Sequence, residues 1–229
     1  MKLSVIVPVL NEGATIRAHL AALAPLRARG AEVIVADGGS DDATIREAGE
    51  GADHVIAAPR GRASQMNAGA RVAAGDVFLF LHADTRLPAE ADLAVARAVA
   101  GGHAWGRFDV RIDGRHVLLP VVAALMNARS RLTGIATGDQ AIFVTRRAFE
   151  AVGGYADIPL MEDIVLSRAL RRLSPPACLE DCVTTSGRRW ERHGPVRTIL
   201  AMWRLRLAFF FGADPRALAL AYGYRPRDD

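Results

Sequence analysis

The stretch "LSVIVPV", residues 3–9, is an unbroken apolar run that is followed closely by two polar residues, Asn11 and Glu12. A strand that is apolar on both faces is typical of a parallel sheet covered by helices on each side. A helical stretch then runs to about Arg29 and ends at Gly30. The stretch therefore predicts an α/β fold whose first strand ends at polar side chains.

Strands and helices keep alternating after this first pair. Short helices are predicted over residues 41–49 and 64–75, and the next three strands are "EVIVADGG" (32–39), "DHVIAAP" (53–59) and "DVFLFLHAD" (76–84). Polar clusters follow three of the four strands, and open α/β sheets bind ligands at the carboxyl ends of their strands. The pattern predicts a mostly parallel sheet flanked by helices, with a binding site at one edge.

The alternation weakens from about residue 101. The elements expected there are a strand at 104–112, an apolar or membrane-facing helix at 116–132, a strand leading into a short helix at 139–155, and a helix at 162–173. No internal repeat and no linker rich in proline, glycine or serine divides the chain. We therefore expect one domain over residues 1–229.

The basic side chains are almost all arginine. Lys2 is the only lysine among the 29 basic residues, and the net charge is +4. Arginine suits bidentate contacts to phosphate better than lysine does, so phosphorylated ligands, nucleic acid and anionic membranes are all compatible with this composition. A hydrophobic content of 51 % excludes a disordered chain.

The cysteines and the apolar segments bear on cellular location. Cys178 and Cys182 form a C-x3-C pair without the further ligands that a zinc site needs, so we expect two reduced thiols. The first ten residues lack the long apolar region of a signal peptide, and the apolar runs at 117–126 and 207–213 are too short to span a bilayer. We expect a cytoplasmic protein without a transmembrane helix.

The segment "DGGSDD", residues 37–42, offers a carboxylate beside two glycines that allow a ligand to approach the backbone. Asp37 could accept hydrogen bonds from a base or a ribose hydroxyl, or it could form an Asx turn or a helix cap. No G-x-G-x-x-G follows the first strand, which argues against a nicotinamide dinucleotide. Phosphate would then be held by a metal or by arginines.

In the order and spacing of its motifs, the chain resembles the family 2 glycosyltransferases of the GT-A fold over essentially its whole length. The motifs that carry this resemblance are "VIVPVLNE" (5–12), "ADGGSDD" (36–42), "GRASQMNAGA" (61–70), "FLHADT" (80–85), "GDQAIFVTRRAFEAVGGY" (138–155) and "MED" (161–163). The resemblance implies a single GT-A domain. Its nucleotide-sugar half would span about 1–100, and its acceptor half about 101–229.

The resemblance also implies which residues bind the nucleotide sugar. They are Pro8, Glu12, Asp37, Arg60, Arg62, Gln65, Asn67, His82 and Asp84. Asp37 would face the base, usually uracil. The family commonly has an arginine directly before the asparagine. Met66 stands there in this chain, so Arg60 or Arg62 is expected to act in its place.

The stretch "FLFLHADTR", residues 78–86, contains an altered form of the family's metal motif. The last aspartate, the usual direct ligand of a divalent cation, is present as Asp84, whereas His82 replaces its partner. An imidazole suits Mn²⁺ better than Mg²⁺, so the resemblance implies a divalent metal site that prefers Mn²⁺. The alternative is that His82 packs at the strand end without contacting a metal.

Asp163 aligns with the catalytic base of inverting members of the family, which deprotonates the acceptor. Glu162 would help to position it, and Asp139 is the next candidate for the base. The alternative is an ordinary acidic residue near a helix N-terminus, where the macrodipole favours it. Two neighbouring carboxylates that point in different directions are not the pair of a glycosidase.

The segment "SGRRWERHG", residues 186–194, resembles a motif of processive synthases. Arg189 and Trp190 match, but Ser186 stands in place of a glutamine. Arg188 or Arg189 is expected to contact the diphosphate, and Trp190 the sugar or acceptor. This departure, with the absence of transmembrane helices, argues against a polymer synthase. His193 is either a further metal ligand or a surface histidine, and we prefer the latter.

The segment 195–211 has a helical apolar stripe accompanied by three arginines. The apolar residues of the stripe are at 196, 199, 200, 203, 207, 210 and 211. We expect this helix to dock on the core or on a second subunit, and the alternative is peripheral contact with the inner face of an anionic membrane.

These observations favour an inverting transferase that uses a nucleotide sugar, most plausibly UDP-linked, with an unidentified acceptor. The chain resembles the small members of the family, some of which are associated with arsenosugar biosynthesis. The alternative is a catalytically weak nucleotide-sugar-binding or regulatory protein, because the metal motif contains His82. Arginine-rich, aromatic segments can bind nucleic acid, but no recognition module is visible, so no nucleic-acid partner is expected.

Overall fold

An eight-stranded mixed sheet runs through the centre of the computed structural model, which describes residues 1–224. The strands are β1 (Leu3–Val9), β2 (Glu32–Asp37), β3 (His54–Ala57), β4 (Val77–Phe80), β5 (Thr85–Arg86), β6 (Trp105–Asp113), β7 (Phe143–Thr145) and β8 (Ala177–Ser186). Their spatial order is β3-β2-β1-β4-β7-β6-β8-β5. The first four strands pair in parallel, as do β6 and β8, which confirms the predicted mostly parallel α/β sheet.

Helices cover both faces of this sheet. They are α1 (Ile16–Ala21), α2 (Ala24–Ala28), α3 (Thr44–Ala48), α4 (Arg62–Val72), α5 (Ala91–Ala100), α6 (Leu119–Thr133), α7 (Arg146–Ala151), α8 (Glu162–Leu170), α9 (Arg188–His193), α10 (Pro195–Phe210) and α11 (Pro215–Ala221). The helical stretch expected up to about Arg29 is divided into α1 and α2. Pro25 lies in the first turn of α2, where its missing N–H is tolerated, so a new helix begins there.

The core consists of apolar clusters on the two sides of the sheet. All seven residues of β1 are buried. Because successive side chains of a strand point to opposite faces, Val5 and Val7 pack with Leu20 on one side, while Ile6 packs with Phe80 on the other. Burial on both faces explains why this strand is continuously apolar.

Two strand predictions need correction. β4 ends at Phe80 and not at residue 84, so His82 and Asp84 lie in a turn between β4 and β5. β8 was not predicted, because Glu180 and Asp181 interrupt its apolar pattern. They lie in an irregularity where the partners of Phe108 and Asp109 in β6 shift from Leu179 to Cys182. Within residues 1–224, no helix is long and apolar enough to cross a membrane.

Candidate active site

Three of the sequence motifs each contain a non-glycine residue with an unusual backbone torsion angle. In the described part of the chain, the non-glycine residues with positive φ are Asn11 (56°), Ala141 (48°) and Met161 (72°). Each lies in a motif singled out above: "VIVPVLNE", "GDQA" or "MED". Residues with a Cβ rarely adopt this conformation, and such strain is found mostly at functional sites, where the surrounding structure enforces it.

Asp37 is the last residue of β2 and is almost completely buried. Its carboxylate accepts the backbone N–H groups of Gly39 (2.9 Å) and Ser40 (3.0 Å) and also the hydroxyl of Ser40. This is the Asx turn that the sequence left as the alternative. An ionised carboxylate has about four acceptor positions, so the turn leaves room for one further donor.

Gln65 and Asn67, both on α4, use their amide groups to hold the backbone around the cleft. Gln65 Nε2 donates to the carbonyls of Val9 (2.7 Å) and Ala36 (2.8 Å), which joins the ends of β1 and β2. Asn67 donates to the carbonyl of Tyr155 (2.8 Å) and accepts its N–H (2.9 Å). Both side chains therefore shape the cleft through the backbone. Gln65 Nε2 uses both of its hydrogens, so its predicted contact with base or ribose would have to use its oxygen, whereas Asn67 retains one N–H donor for such a contact.

The other residues of the predicted nucleotide pocket differ in accessibility. Pro8 is buried inside β1, opposite Ala36, and Arg60 is exposed in the loop before α4. Glu12 is partly buried, and its carboxylate accepts the hydroxyl of Thr15 at 2.9 Å. Of these residues, the structure leaves Glu12 and Arg60 available to a ligand.

His82 lies against the loop of residues 138–140. Its side chain is 13 % exposed, and Nδ1 is 3.4 Å from Oδ1 of Asp139. Gly138 allows this approach, since a Cβ there would lie 2.3 Å from Cε1 of His82. The crowded surroundings of Asp139 raise the pKa of its carboxyl group, but His82 and the charges of Arg62 and Arg206 outweigh this effect, so the pKa lies below its ordinary value. The carboxylate is still accessible, with 46 % of the side chain exposed.

Asp84 is exposed at the same edge of the sheet. The crowded surroundings of the Arg62 guanidinium lower its pKa, although the residue is accessible to solvent. The charges of Glu162, Asp139 and Asp84 outweigh this effect, so the pKa is raised. These three acidic groups therefore lie within electrostatic range of Arg62.

No preassembled metal site of three or more His, Cys, Asp or Glu side chains exists within residues 1–224. Hard divalent cations are often held by one or two carboxylates, with substrate phosphates and water completing the shell. Asp84 together with His82 or Asp139 fits such a site in ligand chemistry. A phosphorylated ligand would have to supply further oxygen ligands to the cation.

Asp163 and Glu162 begin α8 and differ in environment. Asp163 is partly buried, and its two carboxylate oxygens accept the N–H groups of Gly138 (3.0 Å) and Ile164 (2.7 Å). Glu162 is only 6 % exposed. Burial and the neighbouring charge of Asp163 raise the pKa of Glu162 to about 7, against the opposing effect of Arg62. The Asp163 carboxylate is thus fixed by hydrogen bonds, and the Glu162 carboxyl group is partly protonated near neutral pH.

This raised pKa predicts a pH-dependent stability. Between pH 4.5 and about 7 the folded state binds more protons at Glu162 than the unfolded state does, so the contribution of this group to stability falls as pH rises through that range. Glu162→Gln should therefore raise the melting temperature relative to wild type at pH 8 and leave it unchanged near pH 4.5. Melting curves of both proteins measure this, with exposed Glu50→Gln as the control. An equal difference at both pH values would contradict the shift.

The sequence did not single out Arg129 on α6 and Arg206 on α10, whose charges interact with the candidate carboxylates Asp163 and Asp139, respectively. Nη2 of Arg129 and Nε of Arg206 are buried and have no hydrogen-bond partner among the described residues. Burial and the charge of Arg206 lower the pKa of Arg129 to about 10, while Asp163 opposes the shift. The sequence signal for these residues is weak, because each helix contains further arginines and nothing in the sequence distinguishes these two.

The residues of the segment 186–194 that were predicted to bind a ligand lie in different surroundings in the structure. Arg189 stacks on Tyr222, with its guanidinium carbon 3.6 Å from the ring centre, and both line a cavity of about 110 Å³ with Arg62. Trp190 packs instead beside the apolar cluster of Ile112, Leu119, Val122 and Ala123. His193 is exposed at the end of α9. A larger cavity of about 420 Å³, beside α5 and β8, contains none of the predicted site residues.

Solved structures with similar folds carry nucleotides and metals. S. aureus TarS 1–349 in complex with UDP is 20 % identical, with a TM-score of 0.65, over 81 % of this chain and 60 % of that one. Glucosyl-3-phosphoglycerate synthase from Mycobacterium tuberculosis, in complex with Mn²⁺, UDP and phosphoglyceric acid, is 19 % identical, with a TM-score of 0.63, over 98 % and 80 %. The mannosyltransferase PcManGT from Pyrobaculum calidifontis, in complex with GDP-Man and Mn²⁺, is 20 % identical, with a TM-score of 0.64, over 98 % and 65 %.

These likenesses define the class of the protein: its fold is that of the GT-A glycosyltransferases. The model of glycosyl transferase family 2 matches residues 4–149, more than half of the chain, and the chain belongs to that family. It spans about three fifths of the length of TarS 1–349. No curated protein matches the chain. At 19–20 % identity, the structural likenesses establish the fold and leave the substrates to be inferred.

Proposed function

We propose that the protein transfers a sugar from a nucleotide sugar, UDP-linked in the first instance, to an acceptor hydroxyl with inversion at the anomeric carbon. One observation carries this proposal. The hydrogen bond from the N–H of Gly138 to Asp163 connects the candidate base to the loop that contacts His82 of the metal motif. Base and leaving-group site must lie close together for a direct displacement.

The nucleotide is proposed to lie across the ends of β1 and β2. Asp37 would face the base, and the diphosphate would lie near Asp84, where a bound divalent cation would neutralise its developing charge. The guanidinium groups of Arg62, Arg129 and Arg206 supply further positive charge around the cleft. Arg129 and Arg206 have unpaired buried nitrogens, which supports a role in contacting an anionic group of the donor or acceptor.

In the proposed reaction, Asp163 takes the proton of the acceptor hydroxyl as its oxygen attacks the anomeric carbon. The bond from that carbon to the diphosphate breaks, and the nucleoside diphosphate leaves with the electron pair. The N–H groups of Gly138 and Ile164 keep the Asp163 carboxylate in one orientation. Glu162, buried beside it, is proposed to position Asp163 and the acceptor.

Asp37→Ala should weaken UDP binding by roughly 10- to 100-fold, because a hydrogen bond to a charged group contributes about 1.5–3 kcal/mol. Titration calorimetry with UDP and Mn²⁺ measures the change. Asp41→Ala, in the same loop but exposed, is the matched control. Because Asp37 also holds its own turn, Asp37→Asn should recover part of the affinity. Equal UDP affinity in wild type and Asp37→Ala would remove Asp37 from the pocket.

His82→Asp should shift the metal preference for UDP binding from Mn²⁺ toward Mg²⁺, because a hard carboxylate replaces an imidazole. The proposed preference for Mn²⁺ rests on this residue. UDP affinity measured with each metal, in the variant and the wild type, checks the expectation. If the ratio of the two affinities is unchanged, His82 serves only to pack against Gly138.

Similar solved structures are complexes with UDP, UDP-GlcNAc or GDP-Man, so GDP-linked donors belong in any screen for the donor sugar. The subgroup associated with arsenosugar biosynthesis and a cytoplasmic location stay proposals based on the sequence. A panel of nucleotide sugars, tested by thermal shift with and without Mn²⁺, would identify the donor class.

A further inference from the structure

Helix α10 presents an apolar stripe to solvent. Its members, each 60–67 % exposed, are Val196, Leu200, Trp203, Leu207 and Phe210. Of the predicted stripe, only Ile199 packs against an apolar cluster, beside residues of α6, so the expected docking of the helix on the core is made by its other face. An apolar stripe of this size on a helix surface marks an interaction site.

The opposite face of α10 is firmly seated on the domain. Leu205 is buried in a cluster with Met161 and Ile164, which flank the candidate catalytic carboxylates. Arg168 of α8 lies 5.9 Å from the ring centre of Phe209. Because the inner face is already packed, the outer stripe cannot turn inward without breaking these contacts.

The neighbouring helix α6 has an outward apolar stripe of its own. Val121 and Leu125 are more than half exposed, and Leu132 is 87 % exposed. The inner faces of α6 and α10 meet at one cluster, where Ile199 packs beside Leu119 and Val122. We call these two exposed stripes together the α6–α10 face.

The charges of the α6–α10 face select the kind of partner. Neither helix contains an acidic residue, whereas together they contain five arginines. Arg129 and Arg206 have buried nitrogens at the candidate site, and Arg131 is held in an ion pair, so these three do not contribute to the face. The other two, Arg197 and Arg204, are exposed and lie about 80–100° around α10 from the centre of its stripe. A second copy of the chain would bring like charges together, but an anionic lipid surface complements both the arginines and the apolar stripe.

We propose that the α6–α10 face binds the surface of an anionic lipid bilayer. Trp203 and Phe210 would enter the boundary between headgroups and acyl chains, and Arg197 and Arg204 would contact lipid phosphates. The same helix backs Met161 and Ile164, so the cleft would stand about one helix diameter, roughly 10 Å, from the bilayer. This inference does not depend on the proposed sugar transfer.

Sedimentation with lipid vesicles tests the proposal. Wild type should bind vesicles containing phosphatidylglycerol and phosphatidylcholine far better than phosphatidylcholine alone, and added salt should weaken binding. Trp203→Ala with Phe210→Ala should reduce binding at least about tenfold, as should Arg197→Gln with Arg204→Gln. Leu93→Ala, an exposed apolar residue on α5, is the control and should bind like wild type.

Three results would overturn the proposal. They are no binding to the anionic vesicles, equal binding to neutral vesicles, and equal binding by the double variants. A dimer in light scattering that Trp203→Ala dissociates, without vesicle binding, would assign the face to a second copy of the chain instead. Melting temperatures of the variants identify any loss that comes from unfolding.

Discussion

Asp163→Asn should lower sugar transfer by roughly 10²–10⁴, the range typical of a lost general base. The amide cannot take the proton of the acceptor, but it retains the size and one acceptor oxygen of the carboxylate. Affinity for UDP should stay close to the wild-type value, because Asp163 contacts Gly138 and Ile164 and not the proposed base pocket. The measurement pairs transfer rates, once an acceptor is found, with UDP calorimetry.

The matched control for this variant is Asp139→Asn, because Asp139 lies next to Gly138 on the same loop and is the next candidate for the base. Transfer at nearly the wild-type rate by Asp163→Asn would remove Asp163 from the mechanism. Loss of activity only in Asp139→Asn, with Mn²⁺-dependent UDP binding retained, would then assign the base to Asp139. Low activity in the wild type itself, with normal UDP binding, would favour the nucleotide-sugar-binding alternative.

Asp84→Ala should reduce metal-dependent turnover of the nucleotide sugar by at least about 100-fold. Charge neutralisation by a bound cation contributes several kcal/mol to such a transition state, and about 1.4 kcal/mol corresponds to a factor of ten. Release of UDP from the donor, assayed over a range of Mn²⁺ concentrations, measures the effect. Exposed Asp41→Ala controls for the loss of one surface charge. An unchanged Mn²⁺ dependence would place the metal elsewhere.

The nucleotide half was largely predictable because its signals are local. The run of residues 3–9 is apolar because β1 is buried on both faces, and the polar groups after β2 and β4 lie where the predicted sheet edge required them. The same local reasoning missed β8, whose acidic residues lie at an irregularity that only its pairing with β6 reveals.

The side-chain contacts could not be predicted because they join distant parts of the chain. Asn67 hydrogen-bonds to Tyr155, 88 residues away. Arg129 and Arg206 come together only when α6 and α10 pack on the domain. The periodicity of α10 identified an apolar stripe but could not tell which of the helix's two apolar faces is buried.

Calorimetric titration of the wild type with UDP, with Mn²⁺ present and after its removal by EDTA, tests the central claim most directly. The claim is that the cleft around Arg62 binds a nucleoside diphosphate together with a divalent cation. It predicts saturable binding of one UDP per chain, at least about tenfold tighter with Mn²⁺ and weakened by Asp84→Ala. Absence of binding by UDP and by GDP at millimolar concentration, with Mn²⁺ present, would contradict it.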